Sequence, residues 1–73
     1  MTSTISNTIR RLRFEFGEMP QQELADRIGV TRQTVNAIEN GKYSPSLEVA
    51  FRIAAVFRMP LEQVFQYQPE DKL

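Results

Sequence analysis

Residues 21–41 read QQELADRIGVTRQTVNAIENG, and the spacing of apolar residues in this stretch decides the fold. Leu24, Ala25 and Ile28 fall on one helical face in the first half, and Val35 and Ile38 do the same in the second. Gly29 stands between them. A glycine there can take the left-handed conformation that ends a helix, and the small Ala25 lets a second helix cross close to the first. The stretch predicts two short helices meeting at a fixed corner, with the rest of the chain as its support.

Toward the N-terminus, Ile9, Leu12 and Phe16 recur at helical spacing and predict helix 1, capped by Asn7 or Ser6, with Ile5 adding a turn if the helix starts early. Residues 1–6, rich in Ser and Thr, are expected to fray. Arg13 lies at the edge of the stripe, whereas Phe14 points almost directly away from it. Two readings of Phe14 stand: a surface ring or tail contact, and an anchor for a partner. Gly17 can end helix 1, and Pro20 is tolerated in the next first turn although it supplies no capping oxygen. Helix 2 is expected from about residue 20 to 28, and helix 3 from about 32 to 39, with Thr31 as N-cap and Asn40-Gly41 closing it.

Toward the C-terminus, helix 4 starts near Ser46 and carries Leu47, Val49, Ala50, Phe51, Ile53, Ala54, Val56 and Phe57. Only a narrow polar strip is left at Glu48, Arg52 and Ala55, so a central, nearly buried helix is predicted. Met59-Pro60 opens a short helix 5 with Leu61, Val64 and Phe65. Loose order is expected from Gln66 onward. The fold class expected is all-α, five helices without a sheet. The core is expected to hold Leu12, Leu24, Ala25, Ile28, Val35, Ile38, Leu47, Ala50, Phe51, Ala54, Phe57, Leu61 and Val64. Residues 1–66 are read as one domain, with the helix-turn-helix at about 20–41, and residues 67–73 as a C-terminal tail.

At 73 residues the chain is one domain that buries only about 60% of the surface its unfolded chain exposes. It has neither cysteine nor histidine, which rules out disulfides and makes a zinc site untenable. No apolar run approaches the roughly 20 residues of a membrane span, and the N-terminus lacks the hydrophobic segment of a signal peptide, so a cytoplasmic protein is expected. Nine Lys plus Arg balance nine Asp plus Glu, giving a formal charge of zero and a pI near 6.2. That balance is unusual for a nucleic-acid binder. Its distribution is more favourable: Glu70 and Asp71 sit in the tail, while Arg10, Arg11, Arg32 and Lys42 lie in or beside elements that would face a duplex.

The pattern of Gln21, Leu24-Ala25, Ile28-Gly29-Val30, Val35, Ile38 and Glu39-Asn40-Gly41 resembles the helix-turn-helix of the Cro/lambda-repressor-like (XRE) transcriptional regulators. KYSPSLEVAFRIAAVF, residues 42–57, is similar to their fourth helix, and the likeness runs from about Ile9 to Tyr67. It is greatest to very small, free-standing regulators of that family. Three departures stand out: one extra residue between Gly17 and Gln21, Pro20 in place of Thr or Ser, and Arg58 in place of glycine.

The resemblance implies a five-helix lambda-repressor-like domain with helix 3 in the major groove. Base contacts then fall to Arg32, Gln33 and Asn36, because Arg pairs with guanine and Gln or Asn with adenine through two parallel hydrogen bonds. Thr34 meets either a phosphate or a thymine methyl. Gln21, Thr31, Asn40, Lys42 and Tyr43 are implied to hold the DNA backbone, with simple C-cap work as the other reading of Asn40. Arg13 and Glu39 are implied to form a structural ion pair. A homodimer is expected through Met59, Pro60, Leu61, Phe65 and Tyr67.

Catalysis has no foothold in the sequence. Gly17, Gly29 and Gly41 sit at helix ends and do not cluster for phosphate binding, and the carboxylates are scattered. No cofactor is expected. The leading function is a homodimeric, sequence-specific transcriptional regulator of double-stranded DNA, its two-fold symmetry matching an inverted-repeat operator. The alternative is an antitoxin or adaptor whose main partner is another protein, a reading favoured by the zero net charge and by Phe14.

Overall fold

The corner at Gly29 forms between two helices, α2 (Gln21–Ile28) and α3 (Arg32–Glu39), in the computed structural model, which describes residues 4–69. Gly29 takes φ 79°, and Val30 donates its N–H to the Ala25 carbonyl at 3.0 Å, closing the end of α2. Thr31 caps α3 as its sequence requires, its hydroxyl accepting from the Thr34 N–H at 3.1 Å. Leu24, Ala25, Ile28, Val35 and Ile38 are all buried and pack the two helices together.

Three further helices enclose the pair: α1 (Ile9–Glu15), α4 (Leu47–Phe57) and α5 (Leu61–Val64). Ser46 caps α4 through its hydroxyl, which accepts from the Val49 N–H. Pro20 stands at the N-cap of α2 with extended backbone and no side-chain cap, so the helix begins at Gln21. The segment ahead of α2 turns through two successive left-handed residues, Gly17 at φ 80° and Glu18 at φ 57°. This turn drops Met19 into the core at 5% exposure, where periodicity did not place it.

α4 ends in a Schellman motif. The Arg58 N–H donates to the Ala55 carbonyl at 3.1 Å, and the Met59 N–H donates to Ala54 at 3.0 Å. The left-handed position, φ 55°, is held by Arg58, whereas at the same point after α3 it is held by Gly41. A side chain bearing a Cβ is strained there.

The sheetless expectation is corrected at the chain ends. β1 (Ile5–Asn7) and β2 (Phe65–Tyr67) form an antiparallel pair with Ile5 opposite Tyr67, Ser6 opposite Gln66 and Asn7 opposite Phe65. The Gln68 N–H extends it to the Thr4 carbonyl at 2.8 Å. Thr4 to Ser6 therefore do not fray, and Gln66 and Tyr67 belong to a strand rather than a loose tail. Residues 1–3 and 70–73 lie outside the described residues. Helix 1 begins at Ile9 with Thr8 as N-cap, and the expected cap, Asn7, still serves its first turn, its Oδ1 accepting from the Ile9 N–H.

The buried core holds Ile9, Leu12, Met19, Leu24, Ala25, Ile28, Val35, Ile38, Ala50, Ile53, Ala54, Phe57 and Val64. Two expected members are not in it: Leu47 is 68% exposed and Phe51 is 53% exposed. Leu61 is half-buried against the core. The reason lies in the width of the apolar arc on α4. One edge, Ala50, Ile53, Ala54 and Phe57, faces the other helices, while Leu47 and Phe51, one turn apart, lie on a flank left exposed by the described residues. Phe16 is likewise half outside, at 41% exposure, with its ring edge-on to Phe57 at 5.2 Å between centroids. Among the described residues no helix is long and apolar enough to cross a membrane.

Candidate nucleic-acid interface

The first turn of α3 emerges from the corner with its apolar residues turned inward, so its polar residues face solvent. Arg32 and Gln33 are exposed, and their side chains make no hydrogen bond or ion pair among the described residues. Thr31 and Thr34, in contrast, engage each other, their hydroxyls 2.9 Å apart in addition to the cap. One turn on, Asn36 and Asn40 are linked, the Asn40 Nδ2 donating to the Asn36 Oδ1. Asn40 ends the helix through its backbone, whose N–H donates to Asn36 O, and its side chain is directed to Asn36 rather than to a capping carbonyl.

A bidentate ion pair ties the far end of α3 to α1. Arg13 Nε donates to Glu39 Oε2 at 2.6 Å and Nη2 donates to Oε1 at 3.0 Å, with the side chains 15% and 7% exposed. Arg13 also donates through Nη1 to the Met19 carbonyl at 2.8 Å. Gln21, at the first position of α2, donates to Glu39 Oε1 at 3.3 Å, so the ion pair holds three elements and the turn before α2 in one register. Gln21, Asn36, Glu39 and Asn40 line a polar concavity of about 450 Å³ with Arg10 and Arg13.

Sequence reasoning missed a second clasp. Asn7 donates through Nδ2 to the Ile38 carbonyl at 3.0 Å, and so satisfies a carbonyl in the last turn of α3 from the end of β1. Its contact spans 31 residues, and no local pattern points to it. Arg52, read as part of a solvated strip, does similar work for α2, donating to the Ile28 carbonyl at 3.1 Å while pairing with Glu48.

Electrostatically the neutral chain is less balanced than its sum. Among the described residues Arg11, Arg13, Arg27 and Arg52 are each paired with a carboxylate, to Glu15, Glu39, Glu23 and Glu48. Arg10, Arg32, Lys42 and Arg58 have no such partner. The first three stand on α1, at the start of α3 and just beyond Gly41. Lys42 and Tyr43 are both exposed in the loop that follows α3. The residues proposed for a dimer contact are spread over the C-terminal elements: Met59, Leu61 and Phe65 half-buried, Pro60 and Tyr67 exposed. Phe14 is 66% exposed and packs on no aromatic ring among the described residues.

Comparison with known proteins agrees with this geometry. The sequence model of the Helix-turn-helix family matches residues 17–64. An uncharacterized HTH-type transcriptional regulator of Methanothermobacter thermautotrophicus is 55% identical over 58 residues, covering 78% of this chain and 83% of the relative. The uncharacterized HTH-type transcriptional regulator YgzD of Bacillus subtilis is 45% identical over 67 residues, covering 92% of this chain and all of the relative. The cryptic phage CTXphi transcriptional repressor RstR of Vibrio cholerae is 37% identical over 59 residues, 81% of this chain and 52% of that protein.

Proposed function

The chain belongs to the Cro/lambda-repressor-like (XRE) helix-turn-helix family, and from that premise we propose that it is a transcriptional regulator that binds an inverted-repeat operator as a homodimer, with α3 in the major groove. The observation that carries the reading is the state of the first turn of α3. Arg32 and Gln33 are exposed, with side chains that have no partner among the described residues, directly after a Thr31 cap that fixes the helix start. Side chains at the N-terminal end of a recognition helix are those that reach base edges. Asn36, farther along the same helix, is the third candidate for a base. Thr34, whose hydroxyl is engaged with Thr31, is assigned to a phosphate or a thymine methyl. Gln21, Thr31, Asn40, Lys42 and Tyr43 are assigned to the DNA backbone, Gln21 being positioned by Glu39.

Dimerisation is supported by the apolar surface that is exposed among the described residues. Ile5, Leu61 and Phe65 are common to two shallow depressions, one continuing to Tyr67 and the other to Leu47 and Ala50. Phe51 stands one turn beyond Leu47 on the same flank of α4. Exposed apolar surface of this continuity marks an interaction site. The interface assigned to Met59, Pro60, Leu61, Phe65 and Tyr67 is accordingly extended to Leu47 and Phe51.

Two substitutions test the DNA reading. Gln33→Ala should cost roughly 1–3 kcal/mol on a selected operator and relax preference at one base pair per half-site. Lys42→Ala should weaken all duplexes alike and lower the salt slope by about one per protomer. Equal loss on operator and scrambled duplex for Gln33→Ala would remove α3 from the role of reader. The adaptor reading gains support only if the wild-type chain fails to retard any duplex while capturing a defined protein partner.

A further inference from the structure

We propose that Asn7 is a positioning residue for operator recognition: it ties the end of α3 to the terminal strands that border the dimer surface, and so sets the spacing of the two recognition helices. The inference rests on the reading of the chain as a homodimer that places α3 in the major groove. Two sets of bonds meet at Asn7. On one side, its Nδ2 donates to the Ile38 carbonyl at 3.0 Å and lies 3.5 Å from that of Glu39, in the last turn of α3. On the other, residues 5–8 are fastened to the C-terminal elements. Asn7 stands opposite Phe65 in the antiparallel pair, the Thr8 N–H donates to the Val64 carbonyl at 2.9 Å, and the Thr8 hydroxyl donates to the Gln63 carbonyl at 2.7 Å. Asn7 Oδ1 accepts from the Ile9 N–H at 3.1 Å, so the amide is engaged at both ends and a flip would break both contacts.

The joint adjoins the surface assigned to the dimer. Ile5 and Asn7 are two apart on β1 and share one face of the sheet. Ile5 and Phe65 line the apolar depressions of the dimer contact, and with Asn7 and Ile38 they also line a crevice of about 20 Å³ where β1, β2 and α3 meet. That volume holds about one water molecule, so the elements are closed on one another. The Arg13–Glu39 pair fixes this end of α3 against α1, and Asn7 fixes it against the elements that bear the dimer contact. α3 spans eight residues, about 12 Å, so a tilt released at Ile38 moves Arg32 and Gln33 at the other end. An inverted repeat demands two recognition helices about 34 Å apart, whereas a single half-site makes no such demand.

The test measures fluorescence anisotropy on an operator selected with the wild-type chain, on the same operator with one base pair inserted or removed between its half-sites, and on a single half-site. Wild type is compared with Asn7→Asp and Asn7→Ala. Aspartate keeps the acceptor for the Ile9 N–H and loses the Nδ2 donor, so it removes the tie to α3 and leaves the cap, whereas alanine removes both. Melting curves and sedimentation equilibrium establish that each variant is folded and dimeric. Both variants should bind the half-site as wild type does and lose about tenfold on the operator, the cost of about one mismatched base pair. Their preference for the selected spacing over the altered ones should fall by a similar factor. Equal loss on half-site and operator, or an unchanged spacing preference, overturns the assignment and leaves Asn7 a capping residue. Loss of the fold or of the dimer in both variants overturns it as well. A wild-type chain that is monomeric on DNA, or indifferent to spacing, overturns the dimeric reading and the inference together.

Discussion

Replacing Glu39 by alanine should destabilise the domain by about 2–4 kcal/mol, far more than the loss of an ordinary surface ion pair. The magnitude follows from what is left behind. Glu39 accepts two hydrogen bonds from Arg13 and one from Gln21, and its side chain is 7% exposed. After its removal the Arg13 guanidinium, itself only 15% exposed, retains the Met19 carbonyl and no counter-charge. Breaking a buried pair from one side costs roughly 3–5 kcal/mol, and the partial access of Arg13 to water lowers that figure somewhat. In a domain of this size each kcal/mol moves the melting temperature by about 4–8 °C, so a fall of at least about 8 °C is expected. Urea titrations followed by circular dichroism give the free energy, and a cycle with Arg13→Leu and the double variant Arg13→Leu/Glu39→Ala isolates the pair. The double variant should be closer to wild type than Glu39→Ala is, because no charge is then stranded. A loss under about 1 kcal/mol for Glu39→Ala, with additive single effects, would refute the reasoning.

Phe57→Ala should cost about 3–5 kcal/mol in denaturant titrations, since the ring is fully buried, and a smaller loss would mean that the core refills the cavity. Phe51→Ala, at 53% exposure, should instead shift the monomer–dimer equilibrium toward monomer in sedimentation equilibrium; an unchanged equilibrium would remove Phe51 from the proposed interface. Arg58→Gly should raise stability by about 0.5–1 kcal/mol in thermal melts, because glycine takes φ 55° at the end of α4 without the clash a Cβ makes; a fall in stability would show that the Arg58 side chain contributes more than its strain costs.

Helix boundaries were legible because they depend on neighbours in sequence. The 3.6-residue spacing of Leu24, Ala25 and Ile28, the Thr31 and Ser46 caps, and Gly29 and Gly41 at left-handed positions are decided within a turn or two of chain. The corner and the limits of α3 therefore followed from the residues alone. Arg32 and Gln33 could be placed on its first turn for the same reason. The ion pair of Arg13 with Glu39 was a different matter. The family resemblance and the place of Arg13 at the edge of its apolar stripe suggested it together, but periodicity alone could not name the partner, because contacts across 26 residues leave no periodic trace.

What the tertiary structure decided was everything set by distant partners. Periodicity identifies an apolar arc on α4 but not how much of it a single chain covers, so Leu47 and Phe51 were assigned to a core from which they are excluded. The terminal sheet escaped notice because three-residue strands are too short to display alternation, and their pairing joins residues about as far apart as the chain allows. Met19 entered the core because Gly17 and Glu18 turn the backbone in a left-handed sense, a geometry the sequence announces at Gly17 but not at Glu18. Local propensity and capping act over a few residues, whereas burial and pairing are properties of which surfaces meet, and that is fixed only when the whole chain has closed on itself.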